Sequence, residues 1–83
     1  MGEQFIKKNL KLSTEFGSYV VRSPHAYKKI PKGAYVVITV KGDTKLNKSN
    51  ISLAERMKHS KRKFVEAHKQ GTRWTLKPLV FQR

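Results

Sequence analysis

Hydrophobic and polar residues alternate most clearly over Ala34–Lys41, where Val36, Ile38 and Val40 fall on one side and Tyr35, Thr39 and Lys41 on the other. That period of two predicts a half-buried strand with its valine side against the core. A shorter β-branched and aromatic run, Ser18–Arg22, predicts another strand. Thr72–Lys77 predicts a third, with Trp74 and Leu76 opposite Arg73, Thr75 and Lys77. Pro78 restricts that strand to an edge, a bulge or a stop, and Leu79, Val80 and Phe81 follow as a short apolar tail. Near the start, Leu10 and Leu12 set against Lys7, Asn9 and Lys11 suit a strand, although Phe5, Ile6 and Leu10 would also line one face of a short helix.

Turn residues punctuate these runs. Ser23 and Pro24 match an N-cap and a first helical position, so Pro24–Lys29 is expected to make a short helical turn that Pro31 ends. Pro31, Lys32 and Gly33 supply a turn into the valine-rich strand, and Lys41, Gly42 and Asp43 supply its exit.

The longest predicted element is a helix over Ser52–Gln70. Ser52 and Glu55 have the spacing of a reciprocal capping box, and Gly71 stands where a helix is commonly closed. At 100° per residue Leu53, Met57 and Phe64 share a narrow sector, with Ser60, Ala67 and His68 beside it, and this sector is expected to face the core. The remaining surface carries Arg56, Lys58, Lys61, Arg62, Lys63 and Lys69, opposed by Glu55 and Glu66 alone. Its length would be roughly 28 Å. The expected fold is therefore α+β: one domain over residues 1–83, with a small antiparallel sheet of three or four strands packed against one long basic amphipathic helix.

Charge is the strongest constraint on partners. Nineteen Lys and Arg oppose five Asp and Glu, giving a formal charge of +14 on 83 residues. An excess of that size attracts polyanions and speeds encounter with them. It is spread along the chain rather than held in one tail, which points to a folded basic surface. With no Cys there is neither a disulfide scaffold nor a thiolate metal site. The longest apolar run is far too short to span a bilayer, and the N-terminus lacks a signal-peptide pattern, so the expected setting is cytoplasmic, with nucleoid or ribosome association open.

The basic helix is the main candidate surface, with Lys28 and Lys29 assisting. A charge run is more often a solvated face than a site, but solvated helices usually mix both signs, and like charges four residues apart, such as Lys58 and Arg62, are mildly destabilising. Arginine is scarce on this face, so phosphate contact is expected rather than base reading. Tyr19, Tyr27, Tyr35 and Trp74 could stack on unpaired bases; Trp74 is more simply a core residue, and Tyr27, between two prolines and beside Lys28 and Lys29, is the first stacking candidate.

His25, His59 and His68 invite a ribonuclease reading, yet on a helix His59 and His68 would diverge by about 120°, and no carboxylate is placed in sequence to orient any of them. No catalytic residue is assigned. Five scattered acids and three scattered His form no metal-ligand cluster, and no glycine spacing marks a phosphate-cradling loop, so no cofactor is expected.

The leading expectation is a small non-catalytic protein that binds DNA or RNA through phosphates with little base specificity. An alternative is a small basic inhibitor or adaptor, of phage or mobile-element type, that grips a nucleic-acid-processing protein through an apolar anchor such as Val65, Tyr27 or the Leu79–Phe81 tail. A ribosome-associated RNA-binding protein and a small ribonuclease complete the alternatives. Oligomeric state leaves no mark on the sequence.

Overall fold

Leu12, Phe16, Tyr19 and Val20 recur three or four residues apart, and in the computed structural model, which describes residues 2–81, they lie on one face of a single helix, α1 (Glu3–Arg22). Both N-terminal strand expectations, around Leu10 and Leu12 and over Ser18–Arg22, fall inside this 20-residue helix. No proline interrupts it, and its apolar face packs on the sheet: the Phe16 ring lies 5.1 Å from that of Trp74, and Tyr19 6.4 Å. Burial on that scale outweighs the weak β preference of Tyr19, Val20 and Val21. Pro24 ends the helix by denying Ser23 the helical conformation, leaving it at φ −129° and ψ 85°. It then opens α2 (Pro24–Lys28), the short helical turn expected there.

The chain continues through β1 (Tyr35–Val40), α3 (Thr44–Glu55), β2 (Phe64–Gln70) and β3 (Arg73–Leu79). The result is an α+β fold around a three-stranded sheet in the order β1-β2-β3. β1 runs parallel to β2, and β2 antiparallel to β3, so the sheet is mixed rather than antiparallel. The reason lies between the strands, because parallel neighbours need a crossover and α3 supplies it.

The expected helix over Ser52–Gln70 is replaced by two elements and a loop. α3 starts earlier, capped by Asp43, whose Oδ1 accepts the Leu46 N–H at 3.2 Å, and Ser52 and Glu55 sit in its last turns. Beyond Glu55, isolated turns such as Ser60 N–H to the Met57 carbonyl replace the helical ladder. Lys58, Lys61, Arg62 and Lys63 crowd this stretch with like charge, which opposes another helical turn. From Phe64 the period becomes two. Phe64, Glu66 and His68 fall on one face and Val65, Ala67 and Lys69 on the other, and the central position in the sheet buries both. Gly71, at φ 64°, serves the two-residue turn between β2 and β3 instead of closing a helix.

Each sheet face takes one long helix. Phe16 of α1 joins Ile38, Ala67 and Trp74 on one side, and Ala54 of α3 joins Val37 and Phe64 on the other. Trp74 is thus a core residue, as expected, whereas Leu53 is 40% exposed and not part of the core. The two layers meet beyond the β1 edge through a pair of asparagines. Asn50 donates to the Ile38 carbonyl at 2.8 Å and exchanges amide hydrogen bonds with Asn9 of α1 at 2.9 and 3.1 Å. One turn earlier on α3, Asn47 accepts from the Val40 N–H and donates to its carbonyl, both at 2.8 Å. Side-chain amides thereby do for this edge what a neighbouring strand would do.

The Leu46 N–H that Asp43 accepts, with Lys8 of α1 3.2 Å away, holds the Asp43 carboxyl below the ordinary aspartate range. A depressed carboxyl stabilises the fold fully above its unfolded pKa, and that contribution is lost as pH falls through the lowered folded value. Asp43→Asn keeps a capping oxygen without the titration. Its melting temperature is expected to depend less on pH in acid than that of the wild type, as thermal unfolding followed by circular dichroism would show; parallel curves would remove Asp43 from the acid response.

Candidate functional site

The cations that sequence places on one helix face come instead from several segments, and the fold collects part of them at one end of the sheet, where β1 and β2 begin and β3 finishes. Lys29 follows α2; Lys58, Arg62 and Lys63 belong to the loop between α3 and β2. All four line a cleft of about 400 Å³. Its other walls are apolar: Pro31, Phe64, Val65, Pro78, Leu79, Val80 and Phe81. The loop is tied to the sheet by the Tyr35 N–H, which donates to the Lys63 carbonyl at 2.8 Å. Phe64 is fixed between two rings, Tyr35 at 5.7 Å and Phe81 at 5.4 Å in an edge-on contact.

Across Pro31, which belongs to both, a second depression is lined by Tyr27, Lys28, Ile30 and Lys32. Tyr27, the stacking candidate, is 68% exposed. Arg56 stands at the C-terminal end of α3, where a cation also complements the helix dipole, and Lys61 is exposed in the loop without lining the cleft. Lys69 is not part of this surface. It lies roughly 16 Å further along β2 than Phe64, pairs with Glu15 of α1, and sits 5.9 Å from the centre of the Trp74 ring. Val65, expected to be an exposed anchor, is only 4% exposed because β2 is the central strand.

Four of the five acids are paired elsewhere, and the fifth, Glu55, is exposed at the end of α3 and forms no ion pair among the described residues. Glu3 pairs with Lys7, Asp43 with Lys8, Glu15 with Lys69, and Glu66 with Lys77. Among the described residues no carboxylate is within ion-pair distance of Lys28, Lys29, Lys58, Lys61, Arg62 or Lys63. Fixed positive charge therefore accumulates around the cleft without internal compensation, which makes it an anion-attracting end of the molecule.

The histidines divide. His25 is exposed on α2 and His59 exposed in the basic loop, whereas His68 is drawn into a polar cluster on the α3 side of the sheet. The Thr39 hydroxyl donates to Glu66 Oε2 at 2.7 Å, so the 2.8 Å contact with His68 must be received from an Nδ1–H. A carboxylate does accompany one histidine after all, because the strand period puts Glu66 and His68 on one face. Thr39, however, is 2% exposed, and its hydroxyl is consumed between the two side chains. The cluster ties β1 to β2. Among the described residues no group of three or more His, Asp or Glu is placed to hold a metal ion. No helix among them is long and apolar enough to cross a membrane.

A family model matches residues 4–80, which takes in all six elements except the first residue of α1; its description is a family of unknown function, DUF5647. The chain belongs to the DUF5647 family. No curated protein and no solved structure matches it.

Sequence reasoning missed Phe64, Pro31 and Pro78 as walls of this site. The helical reading turned Phe64 inward, while the prolines signalled only turns. The apolar tail was visible, but nothing in the sequence joined it to Arg62 and Lys63.

Proposed function

We propose that this DUF5647 chain is a non-catalytic nucleic-acid-binding protein that holds phosphates at the β1/β2 entry end of its sheet. The observation that carries this reading is the convergence of Lys29, Lys58, Arg62 and Lys63 on one cleft with no neighbouring carboxylate among the described residues. Lys28, Lys61 and Arg56 extend the cationic field around it. Lysine-rich rims bind phosphate as point charges, so affinity is expected to depend little on sequence and strongly on salt.

Fluorescence-anisotropy titration of the full chain against labelled oligonucleotides tests this reading. Binding that persists at about 0.15 M salt, and weakens linearly on a double-logarithmic plot as salt rises, is the expected result. Absence of binding at that salt would overturn it. In that case the inhibitor or adaptor reading takes its place, favoured by Val80, which is 87% exposed beside the cations and would serve as an apolar anchor for an acidic protein surface.

A further inference from the structure

We infer that the cleft receives an unpaired base, which makes single-stranded nucleic acid the preferred ligand; this rests on the nucleic-acid reading above. Cations alone would be served by a flat surface, but here they ring a hollow. Its volume, about 400 Å³, lies in the range of small-ligand clefts, roughly 300–1,000 Å³. Apart from Lys29, Lys58, Arg62 and Lys63, every residue lining it is apolar. A duplex presents phosphates outward and keeps its bases stacked inside. It would meet the rim and leave the hollow unused. A single strand can lay its phosphates on the rim and turn a base inward onto Phe81 and Leu79, with Val80 closing over it.

The shape of the basic elements agrees with this choice. Major-groove reading needs a helix or a two-stranded ribbon that carries its contacts outward. Here the cations sit on a loop and just after α2, which has only five residues. The apolar lining has no side-chain amide or hydroxyl to read base edges, so stacking and apolar contact, which every base offers, would set the affinity. Tyr27, exposed across Pro31, continues the track with a ring for a following base.

The test is a competition experiment against one labelled single strand, using unlabelled competitors of equal length: the same strand, its fully abasic analogue with identical backbone charge, and the matched duplex. The base-bearing strand is expected to compete at least about tenfold better than the abasic one, the order of a single stacked base, and better than the duplex. In Val80→Ser and Phe81→Ala that ratio should fall toward one; Val80→Ser changes an exposed position, so it reads the cleft without challenging the fold. Equal competition by the abasic strand, or tighter binding of the duplex, would overturn the inference while leaving phosphate binding intact. Failure of every oligonucleotide to bind would overturn both.

Discussion

Simultaneous replacement of Lys29, Lys58, Arg62 and Lys63 by Gln is expected to lower affinity for a single-stranded oligonucleotide by roughly two hundredfold at about 0.15 M salt. Each phosphate contact to a single strand contributes about 0.7 to the slope of log affinity against log salt, worth roughly fourfold at that concentration. Four lost contacts should therefore also flatten the slope by about 2.8. The side chains reach the cleft from two segments and none is held by a carboxylate among the described residues, so neutralising them should cost the fold little. Lys11→Gln with Lys48→Gln is the control, because both are exposed on helices outside the cleft and neither pairs with a carboxylate among the described residues. A control that weakens binding as much per charge would mean that net charge, not this site, does the binding.

Asn50→Leu is expected to destabilise the fold by about 2–4 kcal/mol, measured by urea denaturation. Leucine has the branching of asparagine and is larger, so no hole is left and the loss arises from missing polar partners together with crowding. It leaves the Ile38 carbonyl without the donor that Asn50 gave it and removes both amide hydrogen bonds between Asn50 and Asn9, in a place where Asn50 itself is buried. A buried acceptor left unpaired costs about 1–3 kcal/mol, and the loss of the amide exchange with Asn9 adds to it. Asn9→Ala in the Asn50→Leu background should then add much less than it does alone, the non-additivity of directly bonded partners. Independent effects would show that the α1–α3 bridge is incidental. A loss of this size matters, because a domain of this length has only about 5–15 kcal/mol in total.

How far the sequence could be read follows from the range of the forces involved. β1, β3 and α2 were legible as elements because alternation and a proline after a serine act locally. β1 is, however, buried on both faces rather than half-buried, since α3 covers the side that carries Val37 and Thr39. α1 was not, because Tyr19, Val20 and Val21 favour strand locally and only contact with Trp74 and Ile38 decides for helix. The stretch from Ser52 to Gln70 satisfied a capping box and a helical sector at once, and what broke it was the density of like charge at Lys58–Lys63 together with a place for β2 between two strands. The parallel pairing then followed from α3, which the sequence reading had set too late. Asn47 and Asn50 gave no signal at all, since two amides one turn apart look like any polar helix surface until an open strand edge lies beside them.

The candidate site was half visible. Arg62, Lys63, Lys58 and Lys29 were named from charge alone, and the structure assembles them; Lys69 was named on the same ground and is spent on Glu15. Charge density finds the cations but not their partners. Which of them remain uncompensated depends on where five acids fold to, and that is a property of the tertiary structure.

Backbone amide NMR shifts of the labelled chain, recorded while a short unlabelled single-stranded oligonucleotide is added at about 0.15 M salt, test the location of binding most directly. Progressive shifts concentrated at residues 27–32, 58–65 and 77–81, with the α1 N-terminal half and the Gly71 turn unmoved, are the predicted result. Shifts centred on α1 or on the Gly71 turn, or no shifts at all, would contradict the assignment of this end of the sheet as the binding site.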